Sequence, residues 1–134
     1  MVSLVTGGAG FIGSHLVDFL IKSGETVRVL DNLSAGDLAN LSSSHSSPRL
    51  KVIQGDVLNK EIVFESLEGC DTVFHLAANP EVRSEKASPH DHFRQNIEAT
   101  YNLLECMRDV DGVERFVFAS TSTVRARTIC LLVS

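Results

Sequence analysis

The chain has 134 residues and a formal net charge of −5 at neutral pH. This length allows one domain with a hydrophobic core, and an acidic balance without a Lys/Arg cluster argues against a nucleic-acid surface. No apolar run reaches the roughly eighteen residues of a membrane helix, and Met1 leads directly into an apolar strand, so we expect neither a membrane span nor a signal peptide. The cysteines, Cys70, Cys106 and Cys130, are odd in number and far apart, which is typical of free thiols in a reducing compartment. These features predict a cytoplasmic protein.

Short apolar runs alternate with amphipathic stretches along the chain. The patterns predict strands over 2–6, 26–31, 50–54, 72–77 and 113–119, and helices over 12–23, 58–68 and 89–109. Residues 32–48 are rich in Ser, Asn, Asp and Gly and predict a loop, with a short helix around 37–41. Strands separated by helices form a parallel sheet with right-handed crossovers. We therefore expect an α/β fold, a doubly wound parallel sheet with strand order 3-2-1-4-5.

The helix predicted over 89–109 carries apolar residues at three- and four-residue steps. They are Phe93, Ile97, Thr100 or Tyr101, Leu104 and Met107. This periodicity predicts one apolar stripe that covers the sheet.

A glycine-rich turn joins the first strand to the first helix. Its glycines fit two spacings, Gly8-x-Gly10-x-x-Gly13 and Gly7-x-x-Gly10-x-x-Gly13. Such glycines allow a tight bend, close approach of bare backbone to a pyrophosphate, and close packing of helix on strand. The helix N-terminus that follows favours an anion. The segment therefore predicts a phosphate cradle.

An acidic residue, Asp31, ends the second predicted strand roughly twenty residues past the glycines, where a carboxylate binds the hydroxyls of an adenosine ribose. A carboxylate there repels a 2′-phosphate, and Arg28 belongs to the strand rather than to the following loop. The sequence favours NAD over NADP. The alternative is a solvated Asp that starts a turn before Asn32.

These motifs, with others further along, resemble the extended short-chain dehydrogenase/reductases, specifically the NAD-dependent nucleotide-sugar epimerase/dehydratase family. The resemblance covers residues 1 to about 124 and rests on Thr6–Leu16, Asp31–Ser34, Gly55-Asp56-Val57, His75-Leu76-Ala77-Ala78, Val82-Arg83-Ser84, Asn96 and Phe118–Val124. It implies a Rossmann-type fold, NAD as cofactor and a nucleotide sugar of the UDP-glucose/UDP-galactose class as substrate.

The resemblance also implies site residues. Those implied for the cofactor are Gly7, Gly10, Phe11, Ile12, Gly13, Asp31, Asn32, Ser34, Asp56, Val57, Leu76, Ala77, Ala78, Asn96 and Ala119. Those implied for the substrate are Arg83, Ser84 and Thr121, and Thr121 is also the implied catalytic residue.

Three of these residues have alternative interpretations. Asp56 could cap the next helix, Asn96 could be a partly exposed helix residue, and Arg83 could be an exposed surface arginine.

The chain departs from the family in two respects. It lacks the Tyr-x-x-x-Lys pair that supplies the general base, and its one tyrosine, Tyr101, lies in the long helix without a lysine four residues on. Residues 125–134 resemble nothing in the family. This favours a partial NAD-binding domain over 1–124 that ends before the sixth strand. The tail over 125–134 would then come from a shifted reading frame or a broken gene. One hypothesis is therefore an epimerase portion and the other an inert dinucleotide-binding fragment. A related dehydratase or decarboxylase is disfavoured because Ser122-Thr123 holds no acid.

Two further expectations concern metals and partners. His90 and His92 follow Pro89 and are interpreted as solvated, because no third or fourth ligand has the spacing of a metal site. In the family the helix that carries Tyr-x-x-x-Lys packs beside the long helix, so the flank with Tyr101, Leu103 and Cys106 is expected to lack cover and to favour self-association through 89–109.

Overall fold

The computed structural model describes residues 1–81 and 88–120 of the chain. Within them five strands form one parallel sheet in the order β3-β2-β1-β4-β5. The strands are β1 (Val2–Thr6), β2 (Thr26–Asp31), β3 (Leu50–Gln54), β4 (Thr72–His75) and β5 (Arg115–Phe118). The expected strand order 3-2-1-4-5 is confirmed.

Helices connect successive strands, apart from the 32–48 crossover, which holds only a short 3₁₀ helix. The elements are α1 (Phe11–Lys22), the 3₁₀ helix (Leu38–Leu41), α2 (Lys60–Leu67), α3 (Pro89–His92), a π-helical segment (Phe93–Glu98) and α4 (Ala99–Arg108). In the part of the chain that the structure describes, none of these helices has the length and apolar character to cross a membrane.

Element ends differ from the predicted ones where side chains satisfy backbone groups. Helix α2 begins two residues later than predicted because Asn59 caps it, its Oδ1 accepting from the N–H groups of Glu61 and Ile62. The alternative that Asp56 caps this helix is therefore wrong. Strand β4 ends at His75 rather than at residue 77, because the Ala77 N–H donates to the hydroxyl of Thr6 instead of continuing the ladder.

The sheet separates two hydrophobic clusters. One lies under α2 and α4 and includes Leu4, Val73, Val63, Leu67 and Leu103. The other lies under α1 and the 3₁₀ helix and includes Val5, Val17, Leu20, Val29 and Leu41. Covering both faces buries the central strands β1 and β2, so the carboxyl edge of the sheet remains as the place for a site.

Much of the predicted apolar stripe of the long helix lies away from the sheet. Phe93, Ile97 and Leu104 are exposed, whereas Leu103 and Cys106 are fully buried. The prediction that the stripe covers the sheet is wrong for the three exposed residues. The prediction that the flank with Tyr101, Leu103 and Cys106 lacks cover is wrong for Leu103 and Cys106, which pack in the core, whereas Tyr101 is exposed.

A buried hydrogen bond fixes the orientation of α4, and the burial of its other residues agrees with it. The buried amide of Asn102 donates through Nδ2 to the carbonyl of Val57 at 2.6 Å, which fixes one side of the helix against the turn after β3. Met107 is partly buried against the same cluster, and Tyr101 is 62% exposed on the outer side. A period of 3.6 residues tells which residues share a face but not which face turns inward.

Candidate functional site

The glycine turn after β1 is a close-packed backbone junction. Gly7 has φ +68°, and a Cβ there would lie 2.8 Å from the Ala77 nitrogen. A Cβ on Gly13 would lie 2.3 Å from the Gly7 carbonyl oxygen, so α1 can approach the turn only without a side chain at this position. A Cβ on Gly8 would lie 2.8 Å from a methyl of Val29, so Gly8 serves packing on β2. The spacing Gly7-x-x-Gly10-x-x-Gly13 is the one whose glycines line the cavity described below.

The N-terminus of α1 faces the same region. Gly10 is its N-cap residue, and no side chain in the described residues caps the helix. The first-turn N–H groups and the positive end of the helix dipole are therefore available to an anion.

Asp31, at the end of β2, is 8% exposed. Its Oδ2 accepts from the Ala9 N–H at 2.9 Å and its Oδ1 from the Leu33 N–H at 2.8 Å. The carboxylate thus joins the glycine turn to the turn after β2, where Leu33 has φ 59°. The alternative of a solvated aspartate is wrong. Each oxygen keeps a second lone pair for a ligand hydroxyl.

The polar groups beyond Asp31 form a short network at the sheet edge. Asn32 accepts through Oδ1 from the Ser34 hydroxyl at 2.7 Å and donates through Nδ2 to Asp56 at 3.4 Å. Asp56 accepts through Oδ1 from the Leu58 N–H at 2.9 Å. Asn32 and Ser34 are exposed and line the cavity described below.

The opposite side is formed by the backbone after β4. Leu76, Ala77 and Ala78 line this wall, and Ala119, which follows β5, lies beside them. Asn96 lies behind the wall, where its Oδ1 accepts from the Asn79 N–H at 2.8 Å. Asn96 is half-buried and paired, so it braces the loop instead of lining the cavity.

These parts enclose one cavity of about 440 Å³ at the carboxyl edge of the sheet. The structure brings fourteen of the fifteen predicted cofactor residues to it, Asn96 being the exception. They are Gly7, Gly10, Phe11, Ile12, Gly13, Asp31, Asn32, Ser34, Asp56, Val57, Leu76, Ala77, Ala78 and Ala119. The volume lies in the range of ordinary ligand pockets, roughly 300–1,000 Å³.

Sequence reasoning missed further lining residues, including Gly36, Gln95 and Ala99. The sequence signal for Gly36 was a glycine in the loop after Asp31. The structure explains the glycine, because a Cβ there would lie 2.9 Å from the Ala9 carbonyl carbon. Gln95 and Ala99 had none, because their placement depends on the orientation of the long helix.

The charges in the cavity are negative. Asp31 and Asp56 are its charged side chains, and no Lys or Arg of the described residues lines it. Arg28 is engaged elsewhere, since its Nη1 donates to the carbonyls of Ser66 and Glu68 at the end of α2. The groups of the described lining that could hold an anion are therefore backbone N–H groups and a helix dipole.

Other candidate reactive groups take no part in the cavity. Burial raises the pKa of the Cys70 thiol and, as the largest cause, that of Cys106, so both stay protonated near neutral pH. The described residues hold no cluster of His, Cys, Asp and Glu that could bind a metal ion. Arg83, Ser84 and Thr121 lie outside the described residues.

The fold and this cavity define a doubly wound α/β domain of the kind that binds ligands at the carboxyl ends of its strands. Residues 3–128 match the NAD dependent epimerase/dehydratase family, and the chain belongs to that family.

The names of the relatives denote reactions that differ from one another. A UDP-glucose 4-epimerase from Halalkalibacterium halodurans is 39% identical over 124 residues, 91% of this chain and 35% of that protein. A 3 beta-hydroxysteroid dehydrogenase/Delta 5-->4-isomerase from Mycobacterium tuberculosis is 39% identical over 126 residues, 90% of this chain and 32% of that protein. The crystal structure of DesIV, a dTDP-glucose 4,6-dehydratase from Streptomyces venezuelae with NAD and TYD bound, has a TM-score of 0.80 at 39% identity and covers 87% of this chain and 38% of that one. The chain spans about a third of the length of these curated relatives.

Proposed function

We propose that the cavity binds NAD and that the chain is the cofactor-binding portion of a nucleotide-sugar epimerase similar to UDP-glucose 4-epimerase. The observation that carries the proposal is the meeting, in one cavity, of the uncapped N-terminus of α1 and the buried carboxylate of Asp31. The glycine turn would hold the pyrophosphate, Asp31 the adenosine ribose, and Asp56 with Val57 the adenine. Bound NAD supplies the hydride-accepting group for oxidation of a sugar carbon.

The residues present fit this dinucleotide. Backbone replaces side chains at Gly7 and Gly13, where a Cβ would collide with neighbouring backbone, so the turn stays open to a pyrophosphate. The exposed side chains of Phe11 and Ile12 lie at the cavity mouth and offer apolar contact.

The charge distribution supports NAD over NADP. A 2′-phosphate on the adenosine ribose would lie beside the Asp31 carboxylate. Arg28, the basic residue of the same strand, is held by the carbonyls at the end of α2. Like charges disfavour each other most strongly where both are partly desolvated.

Calorimetric titration with NAD and with NADP tests the assignment. We expect NAD to bind more tightly, by about tenfold or more, and Asp31→Asn to lose about tenfold or more in NAD affinity and to reduce the preference over NADP. Asp31→Asn is preferred to Asp31→Ala because the amide oxygen can still accept from one of the two backbone N–H groups.

The chain offers a matched control at the opposite edge of the sheet. Asp71 also joins two strands, since its Oδ2 accepts from the Val2 N–H at 2.7 Å, but it lies at the amino ends of the strands, away from the cavity. Asp71→Asn should leave NAD affinity unchanged. Equal affinity for NAD and NADP that Asp31→Asn does not alter would refute the proposal.

The epimerase part of the proposal rests on sequence motifs and on the relatives. The relatives match the same part of this chain, but their names give different reactions. Because the sequence holds no Tyr-x-x-x-Lys pair, we expect the isolated chain to give no turnover of UDP-glucose or UDP-galactose at saturating NAD. Turnover abolished by Thr121→Val would contradict this expectation. An inert NAD-binding portion is the alternative, and a dehydratase or decarboxylase portion is less favoured because Ser122-Thr123 lacks an acid.

A further inference from the structure

His75, the last residue of β4, is 1% exposed and lies between three elements. Its Nδ1 is 2.6 Å from the Thr6 hydroxyl at the end of β1, and its Nε2 is 2.9 Å from the Thr100 hydroxyl in α4. The ring also stacks on Phe116 and Phe118 of β5, with centroids 6.2 and 5.8 Å away. Every polar atom of the buried imidazole therefore has a partner.

The hydrogen-bond pattern fixes where the ring proton lies. The Thr100 hydroxyl donates its hydrogen to the Asn96 carbonyl at 2.7 Å, so toward His75 it can only accept. The Nε2 atom must then carry the ring hydrogen, and Nδ1 must accept. The Thr6 hydroxyl donates to Nδ1 and itself accepts from the Ala77 N–H at 3.2 Å. A neutral imidazole with its hydrogen on Nε2 therefore satisfies every bond in this network.

Both ends of this hydrogen-bond chain return to the same loop. At one end the Ala77 N–H donates to Thr6, and at the other the Asn79 N–H donates to the Oδ1 of Asn96, in the π-helical segment. The loop that follows β4 is thus tied to β1 on one side and to the long helix on the other.

The loop is also a wall of the cavity. Ala77 and its neighbours line the cavity, and Ala77 lies so close to Gly7 that a Cβ on the glycine would be 2.8 Å from the Ala77 nitrogen. The position of this wall therefore sets the width of the cavity beside the glycine turn. A π-helical segment is rare and frequently marks a functional site, which agrees with its use here as an anchor.

We propose that His75 is a positioning residue for the dinucleotide cavity, holding the backbone at residues 76–79 between β1 and the π-helical segment through its two ring nitrogens. The proposal rests on the proposed function, since the ligand whose binding it supports is NAD. His75 acts through the wall and has no free nitrogen for a ligand.

Paired substitutions at Thr100 test the role. Thr100→Val keeps the shape but leaves the buried His75 N–H without an acceptor, whereas Thr100→Ser keeps the hydroxyl. We expect Thr100→Val to weaken NAD binding about five- to tenfold and Thr100→Ser to restore nearly full affinity. Amide hydrogen exchange should accelerate at Ala77 and Asn79 in Thr100→Val while the amide of Val29, in β2, stays protected.

Nitrogen-15 spectra of the histidine rings supply a readout independent of NAD. A neutral Nε2–H tautomer at His75 in the unaltered chain supports the assignment, and an Nδ1–H tautomer overturns it. Uniform acceleration of exchange across the sheet in Thr100→Val, or unchanged NAD affinity in that variant, would mean that the network only stabilises the fold. If the unaltered chain does not bind NAD, the proposed function fails, and the exchange at Ala77 and Asn79 then decides the positioning role by itself.

Discussion

Leu103 and Leu104 are neighbours in α4 with opposite environments, and replacing each with alanine tests which face of the helix packs on the sheet. Leu103 is 0% exposed within the cluster under α2, and Leu104 is 44% exposed. Truncation of a buried leucine removes the transfer free energy of three carbons and leaves a cavity, a loss of about 2–5 kcal/mol in the free energy of unfolding. The same change at the exposed position should cost less than about 1 kcal/mol.

Urea unfolding followed by far-ultraviolet circular dichroism measures both losses, with the slope of each transition as a check that the unfolded states are comparable. Leu103→Met, which nearly conserves volume, keeps the test usable if Leu103→Ala does not fold, and it should cost less than about 1.5 kcal/mol. A loss at Leu104 equal to or greater than that at Leu103 would show that the apolar stripe, and not the observed face, covers the sheet.

Three further predictions follow from single positions. Burial lowers the pKa of His75 from 6.5 to about 4, so the unfolded chain binds more protons than the folded chain between these pH values. The contribution of His75 to the free energy of unfolding is therefore full above pH 6.5 and falls by about 3 kcal/mol toward pH 4. Urea unfolding should show a shallower dependence of stability on pH for His75→Asn than for the unaltered chain. Gly7 and Gly69 both have φ +68°, but nothing lies within 4 Å of a Cβ on Gly69, so Gly69→Ala should cost about 1–2 kcal/mol in thermal unfolding and Gly7→Ala clearly more, and equal losses would exclude the clash. Ile97→Asp should reduce any self-association in sedimentation without lowering the melting temperature, since Ile97 is 60% exposed, and a lowered melting temperature would place Ile97 in the core.

The sheet could be predicted from sequence because each strand is a short apolar run bounded by polar or glycine residues. β1 and β2 match the predicted ranges residue for residue. The residue at which β4 ends could not be predicted, since it depends on a hydrogen bond between Ala77 and Thr6, which are far apart in sequence.

The long helix shows what periodicity leaves open. Phe93 and Ile97 lie on its outer side, and its inner side carries Ala99, Leu103 and Cys106. Asn102 belongs to that inner side although it is polar, because the Val57 carbonyl satisfies its amide. A buried polar residue is recognised only when its partner is known.

The glycine turn was predictable because local geometry imposes it: a φ of +68° at Gly7 and the close approach of Gly13 require glycine whatever the rest of the fold does. The hydrogen bonds by which Asp31 holds Ala9 and Leu33 were not predictable, since they arise from the meeting of two turns. The sequence marks His75 only as the start of a motif, because its partners come from β1 and α4.

The described residues of the cavity lining suit the proposed dinucleotide better than they suit proton exchange with a substrate. General acid–base catalysis needs a group that titrates near the working pH and reaches the reacting hydroxyl. The cavity offers only the carboxylates of Asp31 and Asp56 among these residues, and both accept backbone N–H groups. Both ring nitrogens of His75 are engaged, and Tyr101 is exposed on the outer side of α4. Under the proposed epimerase function, the base for sugar oxidation would therefore come from groups other than these. This agrees with the names of relatives of similar identity, which denote different reactions.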